Sequence, residues 1–266
     1  MFRAATIAAL ITPFLVIAAA AQSAPPSPEV LKDLAPSGRL RAGINLGNSV
    51  LAQGTLQEPR GLSVDLAREL AKRTGLPLDL VTFEAAGKVF DALKTNAWDI
   101  AFMAHEPRRA DEIEFTAPYV EIEGTYMVLK ESPLKSVNEV DKPGIRIAVG
   151  LNSAYDLFLT RTIKNATLVR AHTGGGSAMI ELYFKEKLDV AAGVRQALEV
   201  YAATDPKVRV MDGRFQVIAQ AMGTPKGRTV AAAYLRGFVE EMKRSGFVAE
   251  GLKRSGQTAT VAAAAK

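Results

Sequence analysis

The chain has 266 residues, 48% apolar and 23% charged, with 33 Lys and Arg against 28 Asp and Glu for a net charge of +5. Basic and acidic residues alternate, as in Lys130-Glu131 and Glu240-Glu241-Met242-Lys243-Arg244, which makes a solvated surface and argues against a nucleic-acid stripe. Cysteine is absent and histidine occurs only at His105 and His172, so thiol catalysis, disulfides and thiolate metal sites are excluded and no zinc centre is expected.

In chain order, the first element is a targeting segment. Arg3 precedes an apolar, alanine-rich run over 4–21, interrupted by Pro13, and small residues from Ala19 to Ala24 offer a cleavage site. That combination predicts a signal peptide over residues 1–24 and a periplasmic destination. The alternative, a retained anchor, has the lower length for a bilayer span and contains a proline. Residues 25–37 read as a Pro-containing leader. Leu40 to Ile44 reads as a buried strand, and Leu62 to Arg73 as a helix with apolar residues at 62, 66, 67, 70 and 71, stopped by Thr74-Gly75. A strand over 78–83, a helix over 87–94 and a strand over 98–103 follow, with Trp98 read as packing. Strands alternating with helices imply an α/β fold with mostly parallel pairing.

An extended segment, 126–130, then leaves this unit, and the pattern restarts. Strands are expected over 145–149, 166–169, 188–192 and 208–211, and helices over 154–163 and 177–184. A second crossing follows over 217–222, then a helix over 229–244. The expectation is a first lobe from 35–126 plus 222–256, a second lobe from 130–216, and a frayed tail over 257–266. Two α/β lobes joined by two crossings place a ligand in the cleft between them.

The runs Leu40-Arg-Ala-Gly-Ile44, Gly61-Leu-Ser-Val-Asp-Leu-Ala-Arg-Glu-Leu70 and Trp98-Asp-Ile-Ala101 resemble the first lobe of the family 3 solute-binding proteins, periplasmic receptors of polar amino acid ABC importers. Arg109-Ala-Asp-Glu-Ile-Glu-Phe-Thr-Ala-Pro-Tyr119 is similar to the family's arginine followed at fixed spacing by Phe-Ser/Thr-x-Pro-Tyr. Arg146-Ile-Ala-Val-Gly-Leu-Asn-Ser153 and Lys187-Leu-Asp-Val-Ala-Ala192 resemble its second lobe. The resemblance covers nearly the whole mature chain. It implies a two-lobe, type II periplasmic binding fold that works with a membrane permease, as a monomer and without a cofactor.

The resemblance also implies site residues. Arg109 is the expected carboxylate grip, since a guanidinium fork pairs two carboxylate oxygens at once; Arg108 is its neighbour and alternative. Ser153 either caps its own helix or helps the helix start, with Asn152 and Ala154, receive an anionic group. Asn45 either forms a turn with Gly47 or lines the cleft. Three positions depart from the family. Val194 stands where an aspartate holds the ligand's ammonium, Ala104 where a hydroxyl is usual, and Asn48 where an aromatic ring stacks. Arg195 is either a second cation or a residue opening a helix. His105 and Glu106 are candidates for the ligand's far end, and Glu106 or Glu123 for a substitute carboxylate. Thr173-Gly-Gly-Gly176 lacks a Walker lysine and reads as a lead into a helix. The expected ligand is a carboxylate whose amine is absent or not read. The rivals to a transport receptor are a ligand sensor and, on the same scaffold, a dehydratase.

Overall fold

The computed structural model describes residues 26–172 and 175–265; the expected signal peptide, Thr173 and Gly174 lie outside them. The chain runs α1 (Pro28–Leu34), β1 (Leu40–Asn45), a short hairpin of β2 (Gln53–Gly54) and β3 (Pro59–Arg60), α2 (Leu62–Thr74), β4 (Leu78–Phe83), α3 (Ala86–Asp91), β5 (Ile100–Ala104), α4 (Pro107–Ala110), β6 (Ile113–Phe115) and β7 (Val120–Leu129). It continues with β8 (Arg146–Gly150), α5 (Ala154–Thr162), β9 (Thr167–Ala171), α6 (Gly175–Lys185), β10 (Val190–Val194), α7 (Arg195–Thr204), β11 (Val208–Val210), β12 (Gln216–Pro225), α8 (Thr229–Arg244), α9 (Phe247–Arg254) and β13 (Thr260–Val261).

One curled sheet runs β4-β1-β5-β12-β7-β10-β8-β9. Its two ends are parallel, β4-β1-β5 and β10-β8-β9. Parallel strands buried on both faces need apolar cover on each side. One end has it from clusters around Leu66, Leu70 and Leu235 and around Val89, Trp98 and Met103. The other has it from clusters around Ile147, Val149 and Leu159 and around Met179, Tyr183 and Leu198. Trp98 is fully buried with its indole N–H on the Val89 carbonyl, a packing residue.

The two long strands, β7 and β12, join these halves. β7 pairs with β12 from Val120 to Gly124, and from Gly124 onward with β10 and then β11. β12 pairs with β7 from Gln216 to Gln220, then with β5 and β6. Each crossing strand therefore changes partners midway, and the cleft lies where they cross. This is a two-lobe α/β fold.

Two segments differ from their expected form. The leader contains a helix: Ser27 accepts from the Val30 N–H, Pro28 takes a first-turn position, and Asp33 receives the Ala231 N–H of α8. The tail expected to fray is pinned. β13 pairs with the start of β7, Ala262 donates to the Tyr119 carbonyl, and the buried Lys243 ammonium reaches the Ala263 carbonyl. Alanine-rich composition hid this, because the tail is held through its backbone rather than by large side chains.

Candidate functional site

β5 ends at Ala104, and one turn later α4 begins with Pro107 in its first turn. This short connection turns Arg109 inward, where it is 1% exposed. Its Nη1 donates to the Ala104 carbonyl at 3.1 Å and its Nη2 to the Asn152 carbonyl at 2.9 Å, so one guanidinium spans the two lobes. It forms no ion pair with a carboxylate of the described residues; nearby Glu106 is paired with Arg161 instead. Burial pushes Arg109 down to about 10; Glu106 opposes that shift and Arg108 adds to it. A buried cation without a bonded counter-charge is costly.

The facing wall is the loop from β8 to α5. Asn152 takes a left-handed conformation, φ 58°, and this turns its carbonyl to Arg109. Ser153 caps α5 by accepting the Asp156 N–H at 3.0 Å, while Asp156 Oδ2 receives the Asn152 N–H at 2.8 Å. Ser153 and Ala154 line the cavity, and the Ala154 and Tyr155 N–H groups at the first turn of α5 bond to no other described residue. Both lobes press on this loop. A Cβ at Gly87 of α3 would lie 2.9 Å from the Asn152 Cβ, so only glycine permits the approach. Arg108 Nη1 reaches Asn152 Oδ1 at 3.4 Å. Arg161 Nη2 lies 2.8 Å from Glu106 Oε2, an ionic contact whose N–H geometry falls short of a hydrogen bond.

Around the cavity the structure places Asn45, Asn48, Ala104, Arg109, Ser153, Ala154 and Val194 together. Asn152 is the exception among the expected residues. It stands behind Arg109 and contributes its carbonyl to that side chain rather than a surface to the cavity. Asn45 makes its expected turn, Oδ1 accepting the Gly47 N–H at 3.0 Å, and lines the cavity as well. Asn48 is 9% exposed, and its Oδ1 has no partner among the described residues. Val194 ends β10 as the N-cap of α7, a position where its side chain cannot cap.

Several expected residues do other work. Arg195 is not a cation of the cavity: its Nε donates to Glu123 at 2.7 Å and its Nη2 to the Gly213 carbonyl, tying α7 to the crossing strands. Glu123 is held by Arg195 and Arg214, and Glu106 by Arg161 and Gln216. His105 is exposed and packs against Phe115 with ring centroids 5.0 Å apart. None of these four side chains lines the cavity. Gly175 and Gly176 open α6 directly, two residues earlier than Ser177.

Sequence reasoning missed Gln220, Ile122 and Ile218, which reach the cavity from the crossing strands. Gln220 is 4% exposed, and its side-chain amide bonds to no other described residue. A lone amide in the apolar run Val217 to Met222 was the available signal.

A family model, bacterial extracellular solute-binding proteins family 3, matches residues 49–256. The chain belongs to that family. Solved structures of the same fold include the P235GK mutant of ArgBP from T. maritima, at 18% identity and TM-score 0.72, covering 85% of this chain and 99% of that one. A putative ABC transporter binding component from Wolinella succinogenes, complexed with lysine, is 24% identical with TM-score 0.70, covering 82% and 95%. The ancestral amino acid-binding protein AncCDT-1, a precursor of cyclohexadienyl dehydratase, is 20% identical with TM-score 0.70, covering 84% and 97%. No curated protein sequence matches the chain. As a family member this is an extracytoplasmic solute-binding protein of the two-lobe type II periplasmic fold, and among the described residues no helix is long and apolar enough to cross a membrane.

Proposed function

We infer that this solute-binding protein captures a small carboxylate that lacks an α-ammonium and delivers it to an inner-membrane ABC permease. One observation carries the reading. The cavity holds a buried guanidinium that pairs with no carboxylate of the described residues, and no Asp, Glu or Lys is among its described walls. A carboxylate ligand supplies the missing charge, with a charge-assisted pair to Arg109 and the free N–H groups of α5 beside it. An ammonium would meet Val194, Ala104 and neutral amides, and a buried unpaired cation is disfavoured by at least tenfold in affinity, about 1–3 kcal/mol. Asn48 Oδ1 and the Gln220 amide instead suit a hydroxyl or carbonyl on the ligand. Delivery to a permease follows the transporter components among its structural neighbours.

Binding rather than turnover is supported by the same lining. General acid–base chemistry needs a titrating group within reach, and apart from Arg109 the described walls of the cavity offer only Tyr155 and, at the exposed edge, His172. The test is a thermal-shift screen of carboxylates, amino acids and aromatic acids on the mature chain, with Arg109→Ala as control. Stabilisation by carboxylates that the variant loses supports the reading. Stabilisation by standard amino acids alone, or equally in both proteins, overturns it.

A further inference from the structure

A second space lies beside the cavity, a groove between α6 and α7 on one side and the β2–β3 hairpin on the other, and Gly47, Tyr155, Gly176 and Val194 are walls of both. The volume open to the centre of a water molecule is about 60 Å³ in the cavity and about 650 Å³ in the groove. A solute longer than the cavity has this larger space adjoining it. That space is apolar along Leu56, Met179, Ile180, Ala197, Val200 and Tyr201, and Glu84 is the one charged residue among its described walls. Leu56 and Val200 remain 41% and 70% exposed there, one from each lobe.

We propose that the ligand is an elongated carboxylate whose apolar or aryl tail passes Val194 and lies in this groove. The proposal rests on the carboxylate reading above and adds the chemistry of the other end. Val194 is the residue that permits it. An acidic side chain at this position would put a desolvated charge against any apolar tail, whereas valine continues the apolar wall. Leu56 and Val200 gain cover only when such a tail is bound, which ties affinity to tail length. The groove also explains why a cavity this small carries a cation: the head is anchored, and the tail discriminates.

The test is calorimetry with straight-chain alkanoates from butanoate to octanoate and the matching ω-phenylalkanoates. Affinity should rise by up to about fourfold per added methylene once the chain passes the cavity. The variant Leu56→Asp/Val200→Asp, both at exposed positions, should cut octanoate affinity at least tenfold and leave butanoate within twofold. Arg109→Met should abolish binding of the whole series, which separates seating in the site from adsorption to apolar surface. Butanoate or short hydroxy acids binding with no gain from length overturns the tail and leaves the carboxylate reading standing. Binding by no carboxylate overturns both.

Discussion

Two buried charges in this protein behave in opposite ways. Asp99, fully buried just before β5, receives Arg41 Nη2 and Arg228 Nη1, each at 2.8 Å, and the Arg41 backbone N–H. Burial alone would raise its carboxyl, but those hydrogen bonds outweigh burial and hold it below the ordinary carboxylate range. Arg109 is equally buried yet bonds only to neutral carbonyls, and burial draws it down to about 10 from 12.5. That difference costs the folded protein about 3 kcal/mol. The penalty is fully present below pH 10 and is relieved only as pH rises toward 12.5, so it acts throughout the neutral range. The chain thus satisfies one buried charge from within and leaves the other, at the cavity, to neutral partners.

Asp99→Asn breaks the satisfied half of this comparison and should have the largest effect. Removing one partner from a buried ionic cluster costs about 3–5 kcal/mol of stability. The wild-type contribution is present above the unfolded carboxyl's pKa and lost as pH falls through the depressed folded value, so the variant should lose part of the acid dependence of unfolding. Denaturant melts at pH 7 and in the range of pH 2–4 check this, and ligand affinity should stay within threefold.

Arg109→Met breaks the other half. Ligand affinity should fall by about 2–5 kcal/mol, while the ligand-free protein loses no more than about 1 kcal/mol, because the removed charge was itself destabilising. Calorimetry and a ligand-free melt on one preparation separate the two. A variant that unfolds would place Arg109 with Asp99 as structure.

Val194→Asp sharpens the comparison by supplying an internal carboxylate at the cavity. It should swing preference toward amino acids by about tenfold relative to their 2-hydroxy analogues. The new aspartate also takes the N-cap of α7, which favours stability by about 0.5–1 kcal/mol. Competition titrations against matched pairs read the swing.

The smallest effect is in pH. A bound carboxylate requires charged Arg109, and the free protein holds it at about 10. Affinity should be flat from pH 6 to 9 and fall a few-fold by pH 10.5, because the free protein must then take up a proton to bind.

Most of the α/β order was legible because it rests on local pattern. β4 and α8 start and stop where apolar periodicity and Thr74-Gly75-type punctuation place them. Resemblance to the family's short motifs singled out Arg109, Ser153 and Val194, and the fold brings all three to one cavity. Gln220 was not, because its role comes from two strands crossing at one point, a tertiary fact that no local window contains. Of the two readings left open for Arg195, the residue opening a helix is the one seen: it starts α7, and its charge goes to Glu123, 72 residues earlier in sequence. At Ser153 and Asn45 the capping and turn roles are seen directly, and both residues also wall the cavity, so those roles leave the ligand reading open.

The most direct test of the unsatisfied cation with no ammonium partner is calorimetry of matched pairs, each an amino acid and its 2-hydroxy or deamino analogue, on the wild-type mature chain. The account predicts that the analogue binds at least tenfold tighter in each pair that binds. Consistently tighter binding of the amino acid would contradict it.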